Sequence, residues 1–261
     1  MFQRSGLAAG NGAADLIFAL VAALRPRHAL LLAPSFLEYS QALHLWGCET
    51  DSFMLREDED FSLDPFRLKE ALFRARAEKQ PYDILFLCNP NNPTGLPVKK
   101  EIVEEIGAVC KETGTWLAVD ECFCDFLDEP EAYSVIPKLK DLDHVIVLKA
   151  FTKIYAMAGL RLGYGLCSDS AFWNGFRQYA SPGPCPARPS AAGVGGLGET
   201  DLRSAPERCL KGSGRGFLQP SMTWAFRYIH PKPIICSFGT GKRMVSWKKA
   251  GFTRSCWAGA S

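Results

Sequence analysis

Over residues 1–182, short apolar runs alternate with amphipathic stretches of helical length, and this alternation limits what the chain can fold into more than any other feature. Strand-like runs are predicted at 28–33, 49–55, 82–88, 115–119, 144–148 and 162–167. Between them the spacing predicts helices over 13–24, 37–46, 64–77, 99–112 and 170–179. Strands that alternate with helices are joined by crossovers. The expected fold is therefore three-layer α/β/α, a mostly parallel sheet with helices on both faces. Ligands of such sheets sit beyond the carboxyl ends of the strands, so the loops that follow the strands are where functional residues are expected.

The pattern stops near Pro182. Residues 183–261 hold 12 Lys/Arg against 3 Asp/Glu, net +9, whereas residues 1–182 hold 18 against 25, net −7. This tail carries 12 of the 23 glycines, among them Gly193, Gly195, Gly196 and Gly198, and it has no sustained helical or strand period. Two units are expected: a folded 1–182 and a basic, Gly/Pro-rich, poorly ordered 183–261. Around residues 184–190 the tail reads like a sequence translated in a shifted frame, an expectation that translating the other frames of the gene tests.

Several function classes are disfavoured on composition. The whole-chain net charge of +2 supplies no global field for nucleic acid, and the tail's basic residues are scattered without an aromatic-interleaved face. The longest apolar run, 13–24, is too short to span a bilayer and contains Asp15; without a basic leader before it, a cytoplasmic location is expected. The ten cysteines read as reduced, mostly buried thiols. No metal site is expected, because Cys122 and Cys124 are one residue apart and none of the four histidines is paired at ligand spacing. The Gly239-Thr-Gly-Lys242 run is not a phosphate loop, since Cys236 stands where a Gly is required and Arg243 where a Ser or Thr is required.

Four loop motifs occur in order. Gly10-Asn-Gly-Ala-Ala14 opens a helix, Asn89-Pro-Asn-Asn-Pro-Thr-Gly95 and Asp120-Glu-Cys-Phe123 each follow a strand, and Thr152-Lys153 precedes Arg161. Singly, each has an ordinary explanation as turn punctuation, a helix cap or a solvated charge. Together they supply a Schiff-base lysine, a carboxylate for a protonated pyridine nitrogen, an amide for a ring hydroxyl, and a phosphate cradle with an arginine, which are the needs of pyridoxal phosphate.

On these motifs, residues 7 to about 180 resemble the large domain of fold-type I pyridoxal-phosphate enzymes of the aminotransferase class I/II superfamily. The 7–15 run, Ala33-Pro-Ser-Phe-Leu-Glu-Tyr39 and the 153–164 run most resemble threonine-phosphate decarboxylases of cobalamin biosynthesis, with histidinol-phosphate aminotransferases as near relatives. The resemblance implies that Lys153 forms the Schiff base and shuttles protons, and that Asp120 pairs with the pyridinium nitrogen. It implies further that Asn92 donates to the ring's phenolic oxygen, Phe36 stacks on the ring, and the backbone of Gly12, Ala13 and Ala14 holds the phosphate together with Thr152 and Arg161. Phe123 stands where many relatives have a Tyr, and Ala150 where a phosphate-binding Ser or Thr is common.

The implied activity is decarboxylation of L-threonine O-3-phosphate. The alternatives are a histidinol-phosphate-type aminotransferase and, because the resemblance starts inside the large domain and ends near Pro182, a catalytically incompetent fragment whose small C-terminal domain is absent or aberrant. The implied assembly is a homodimer, with a small amino-acid substrate as its other partner.

Overall fold

The computed structural model describes residues 6–155, 159–176, 178–179 and 192–196. The expectations for 183–261 therefore lie outside the described residues, apart from a helical segment at 192–196. In chain order the elements are β1 (Leu7–Gly10), α1 (Ala13–Leu24), β2 (His28–Ala33), α2 (Leu37–Leu45), β3 (Glu49–Met54), α3 (Pro65–Ala77) and β4 (Ile84–Cys88). They continue as α4 (Lys100–Thr113), β5 (Trp116–Asp120), β6 (Val145–Ala150), α5 (Phe151–Ile154), β7 (Gly163–Cys167) and α6 (Ser170–Phe176).

One seven-stranded sheet runs in the order β1-β7-β6-β5-β4-β2-β3. Strands β3, β2, β4, β5 and β6 are parallel, and β7 is antiparallel to both β6 and β1. This is the expected mostly parallel sheet, in a three-layer α/β/α arrangement.

The central strands are buried on both sides, so their alternating side chains feed two cores. Ile84, Phe86 and Cys88 of β4 pack with α1, α2 and α6, while Leu85 and Leu87 pack with α3 and α4. Local chemistry sets the helix ends. The Asp64 carboxylate accepts hydrogen bonds from the backbone N–H groups of Phe66 (2.9 Å) and Arg67 (3.1 Å), and Pro65 occupies the first turn of α3. Helix α4 stops at Gly114, whose φ of +78° an L side chain rarely adopts.

The strand directions decide where function can assemble. Two reversals, β6 to β7 and β7 to β1, leave the carboxyl end of β1 on the same side as those of β2, β4, β5 and β6. At that edge Gly163, the first residue of β7, lies between Gly10 and Ala150. The loop before β7, which carries Arg161, is thereby brought to the start of α1.

Candidate active site

Beyond these strand ends lies a cleft of about 270 Å³. Eight of the nine expected site residues line it. Asp120 ends β5 on its floor, Thr152 and Lys153 come from α5, and Asn92 comes from the loop after β4. Phe36 precedes α2, Ala13 and Ala14 open α1, and Arg161 comes from the loop before β7. Gly12 stands beside the last of these: a Cβ added there would meet Arg161 Nη2 at 2.9 Å.

The start of α1 is shaped by small residues. Gly12 has φ +88°, caps the helix without a side chain, and donates its N–H to the Gly10 carbonyl at 2.8 Å. Gly163 admits the same segment from the sheet side, since a Cβ there would lie 2.6 Å from the Gly12 carbonyl carbon and 2.7 Å from the Ala13 nitrogen. Helix N-terminal N–H groups with a guanidinium beside them form an anion site.

On the floor, the Asp120 carboxylate is 5% exposed. Its Oδ1 accepts the Cys122 backbone N–H at 3.0 Å, and its Oδ2 accepts the Tyr39 hydroxyl at 2.7 Å. Tyr39 is a partner that the motifs left unassigned. The signal was present in the 33–39 run, where Tyr39 follows Phe36 by three residues, the spacing that places two side chains on one helical face. Glu38, Cys88 and Cys122 also line the cleft and were likewise unassigned.

Lys153 is half-buried, and its ammonium lies 5.2 Å from the centroid of the Phe123 ring. Burial foremost holds its pKa below the ordinary lysine value, and the charge of Arg161 acts in the same direction; Cys122, Asp120 and Glu38 oppose without prevailing. The neutral, nucleophilic amine is therefore available at lower pH than on a free lysine.

The loops that present these groups are tied down by buried polar contacts. Asn89 donates through Nδ2 to the carbonyls of Val98 (2.9 Å) and Tyr133 (3.2 Å), and its Oδ1 accepts the Val98 N–H at 2.8 Å. Asn91 donates to the Pro34 carbonyl at 3.1 Å and accepts from Ser35 Oγ at 3.2 Å, which joins the Asn92 loop to the Phe36 loop. Two of the motif's three asparagines therefore fix the backbone, and the third faces the cleft. Behind Phe123, the buried Glu121 carboxylate accepts from Ser134 Oγ (2.7 Å) and the Val135 N–H (2.8 Å), and Lys149 pairs with Asp125 at 2.8 Å.

Residues 1–212 match the family described as Aminotransferase class I and II, thirty residues beyond the point where the sequence motifs give out. The chain is 38% identical over 227 residues to threonine-phosphate decarboxylase of Salmonella typhimurium, an alignment covering 87% of this chain and 60% of that protein. It is 30% identical over 254 residues to histidinol-phosphate aminotransferase of Clostridium kluyveri, covering 96% of this chain and 66% of that protein. The chain thus spans less than two thirds of the length of these curated relatives. The fold is that of the solved PLP-bound C-S lyase from Staphylococcus hominis, with a TM-score of 0.69 at 19% identity over 81% of this chain and 55% of that one. With its residues 1–212 matched, the chain belongs to the aminotransferase class I and II family.

Proposed function

We propose that the cleft binds pyridoxal 5'-phosphate on Lys153 and that the protein decarboxylates a phosphorylated amino acid, L-threonine O-3-phosphate. One observation carries the cofactor reading: a lysine with a lowered pKa, a buried carboxylate and an anion cradle line one cleft at the carboxyl edge of the sheet. The residues present fit the group. The space at Gly12 that a Cβ would fill leaves the start of α1 open beside Arg161, as a phosphate requires. When bound, the cofactor supplies an electron-withdrawing ring that stabilises negative charge at the substrate's α-carbon.

The chain's own residues have separate tasks in this reading. Lys153 presents a neutral amine as nucleophile and later holds a proton at Nζ. Asp120 holds a proton at the ring nitrogen, and Asn92 donates to the ring oxygen. Phe36 covers the ring face and excludes water. Arg161, Thr152 and the N–H groups of Gly12, Ala13 and Ala14 bind the phosphate. Phe123 offers no hydroxyl to the ring oxygen. A homodimer and a cytoplasmic location belong to the same reading. Among the described residues no helix is long and apolar enough to cross a membrane.

Decarboxylation is favoured over transamination by the higher identity to the Salmonella decarboxylase. The two reactions differ in which group on the α-carbon is held perpendicular to the ring. The test is product analysis of the protein incubated with pyridoxal phosphate and carboxyl-labelled threonine phosphate. Labelled carbon dioxide released without a 2-oxo acid supports decarboxylation. Amino transfer that requires a 2-oxo acid, with no carbon dioxide, supports the aminotransferase reading instead.

A further inference from the structure

We propose that Tyr39 is a positioning residue: from the buried side of α2 its hydroxyl keeps the Asp120 carboxylate ionised and aimed, so that the proton between Asp120 and the ring nitrogen of a bound cofactor stays on the nitrogen. The inference rests on the cofactor reading above and concerns this chain's own residues.

The geometry is closely constrained. Tyr39 is 1% exposed, its ring is stacked on Phe86 at 4.7 Å and 13°, and its edge meets Phe36 at 5.5 Å. Packing on both sides fixes where the hydroxyl points, and it points at Asp120 Oδ2 at 2.7 Å. Burial first, and then the negative charge of Asp120, raises the phenol's pKa well above its ordinary value, so the hydroxyl remains a donor throughout the working range of pH. Each carboxylate oxygen can accept two hydrogen bonds. With Tyr39 on Oδ2 and the Cys122 N–H on Oδ1, the carboxylate is held at both oxygens and retains capacity toward the cleft.

The effect on the proton follows from elementary electrostatics. A donor to the charged form of an acid stabilises that form and lowers its affinity for a proton. Asp120 also faces Lys153 from α5, Cys88 from β4 and Cys122 from its own loop. Burial drives both thiol pKa values upward, so the two thiols remain neutral; the Cys122 thiol also hydrogen-bonds the Asp120 carboxylate, and Tyr39 is the donor at Oδ2. Tyr39 also reaches Phe36, so one buried ring supports both the floor of the cleft and the residue that covers it.

The test is Tyr39→Phe, which removes one oxygen and keeps the stack; thermal melting confirms that the fold survives. In the cofactor-free protein, carboxyl-carbon NMR follows Asp120, assigned with Asp120→Asn. The inference predicts that the Asp120 carboxyl-carbon resonance at neutral pH moves in Tyr39→Phe, as loss of the hydrogen bond at Oδ2 requires. With ¹⁵N-labelled pyridoxal phosphate bound, the ring-nitrogen resonance moves toward that of neutral pyridine. An unmoved Asp120 carboxyl resonance in the cofactor-free variant would overturn the inference, and so would an unmoved ring-nitrogen resonance in the loaded one. A parent protein that takes up no pyridoxal phosphate contradicts the cofactor reading, and the cofactor-free carboxyl resonance still decides whether Tyr39 holds the Asp120 carboxylate.

Discussion

Substituting Gly163 by alanine tests how the anion cradle is built. The added Cβ would lie 2.6 Å from the Gly12 carbonyl carbon, 2.7 Å from the Ala13 nitrogen and 3.0 Å from the Gly12 Cα. Ordinary contacts begin at 3.4 Å, so the strand and the start of α1 have to separate by about 0.8 Å. All three atoms are backbone, and no side-chain rotation relieves the clash. Overpacking of this kind costs about 1–3 kcal/mol. The displaced atoms are those that would hold the phosphate in the proposed reading, and misplacement by about 1 Å lowers catalysis on the order of 100-fold. Gly165, two residues along the same strand, is the internal control. A Cβ there meets side-chain atoms of Trp173 at 3.3 Å and Leu148 at 3.6 Å, and none of the Gly12–Ala13 backbone. Thermal melting and fluorescence titration with pyridoxal phosphate, applied to both variants, are the assays. Gly163→Ala is expected to melt several degrees lower and to bind the cofactor at least about tenfold more weakly. Gly165→Ala is expected to bind like the parent. Equal losses in the two variants, or parental affinity in Gly163→Ala, would refute the reasoning.

Two further outcomes follow from the charges. Lys149, 5% exposed and paired with Asp125 beside the buried Glu121, is predicted to cost about 3 kcal/mol when replaced by alanine, because it leaves the buried Glu121 and the partly exposed Asp125 without a counter-charge; denaturant unfolding should show little change for Lys111→Ala, which breaks the exposed pair with Asp143. For Lys153, burial depresses the pKa, so its rate of reaction with pyridoxal phosphate is predicted to rise with pH and level off below 10.5, the ordinary lysine value, and a rate still climbing through 10.5 would contradict this. Stability has a matching sign: the unfolded chain holds that proton more tightly, so the penalty is complete below the folded-state pKa and is relieved as pH rises toward 10.5.

Elements whose local pattern and tertiary role agree were legible in the sequence. Helix α1 over Ala13–Leu24 and strand β2 over His28–Ala33 have the bounds that periodicity predicts, since the same residues that set the period fill the core. Strand β4 begins at Ile84 and not at Tyr82, although the Asp83 backbone still donates to the His28 carbonyl and accepts from the Trp116 N–H, both at 2.8 Å. Strand β6 runs on through Lys149 and Ala150, two residues past the expected end, because a buried ion pair accommodates a charge that reads locally as a loop. The four-residue β1 is too short to carry a pattern. Sheet direction is a pairing property, so the reversal of β7 could not be read from its own residues.

At the candidate site, the residues for which the proposal invokes their own chemistry could be singled out from the sequence, because a lysine, an aspartate and a glycine-opened helix at strand ends suggest roles, and they line one cleft. Those that act through a neighbour were not. Tyr39 and Gly163 look like ordinary core and turn residues until their contacts with Asp120 and with the Gly12–Ala13 backbone are seen.

The central claim is that Lys153 carries the cofactor, and the most direct measurement traps it there. The purified protein is incubated with pyridoxal phosphate, freed of excess, scanned for visible absorbance, reduced with borohydride, and digested for peptide mass spectrometry. The account predicts a visible band that borohydride bleaches, a phosphopyridoxyl group on the peptide containing Lys153, and neither in Lys153→Ala. No band, or a label spread over other lysines and unchanged in Lys153→Ala, would contradict it.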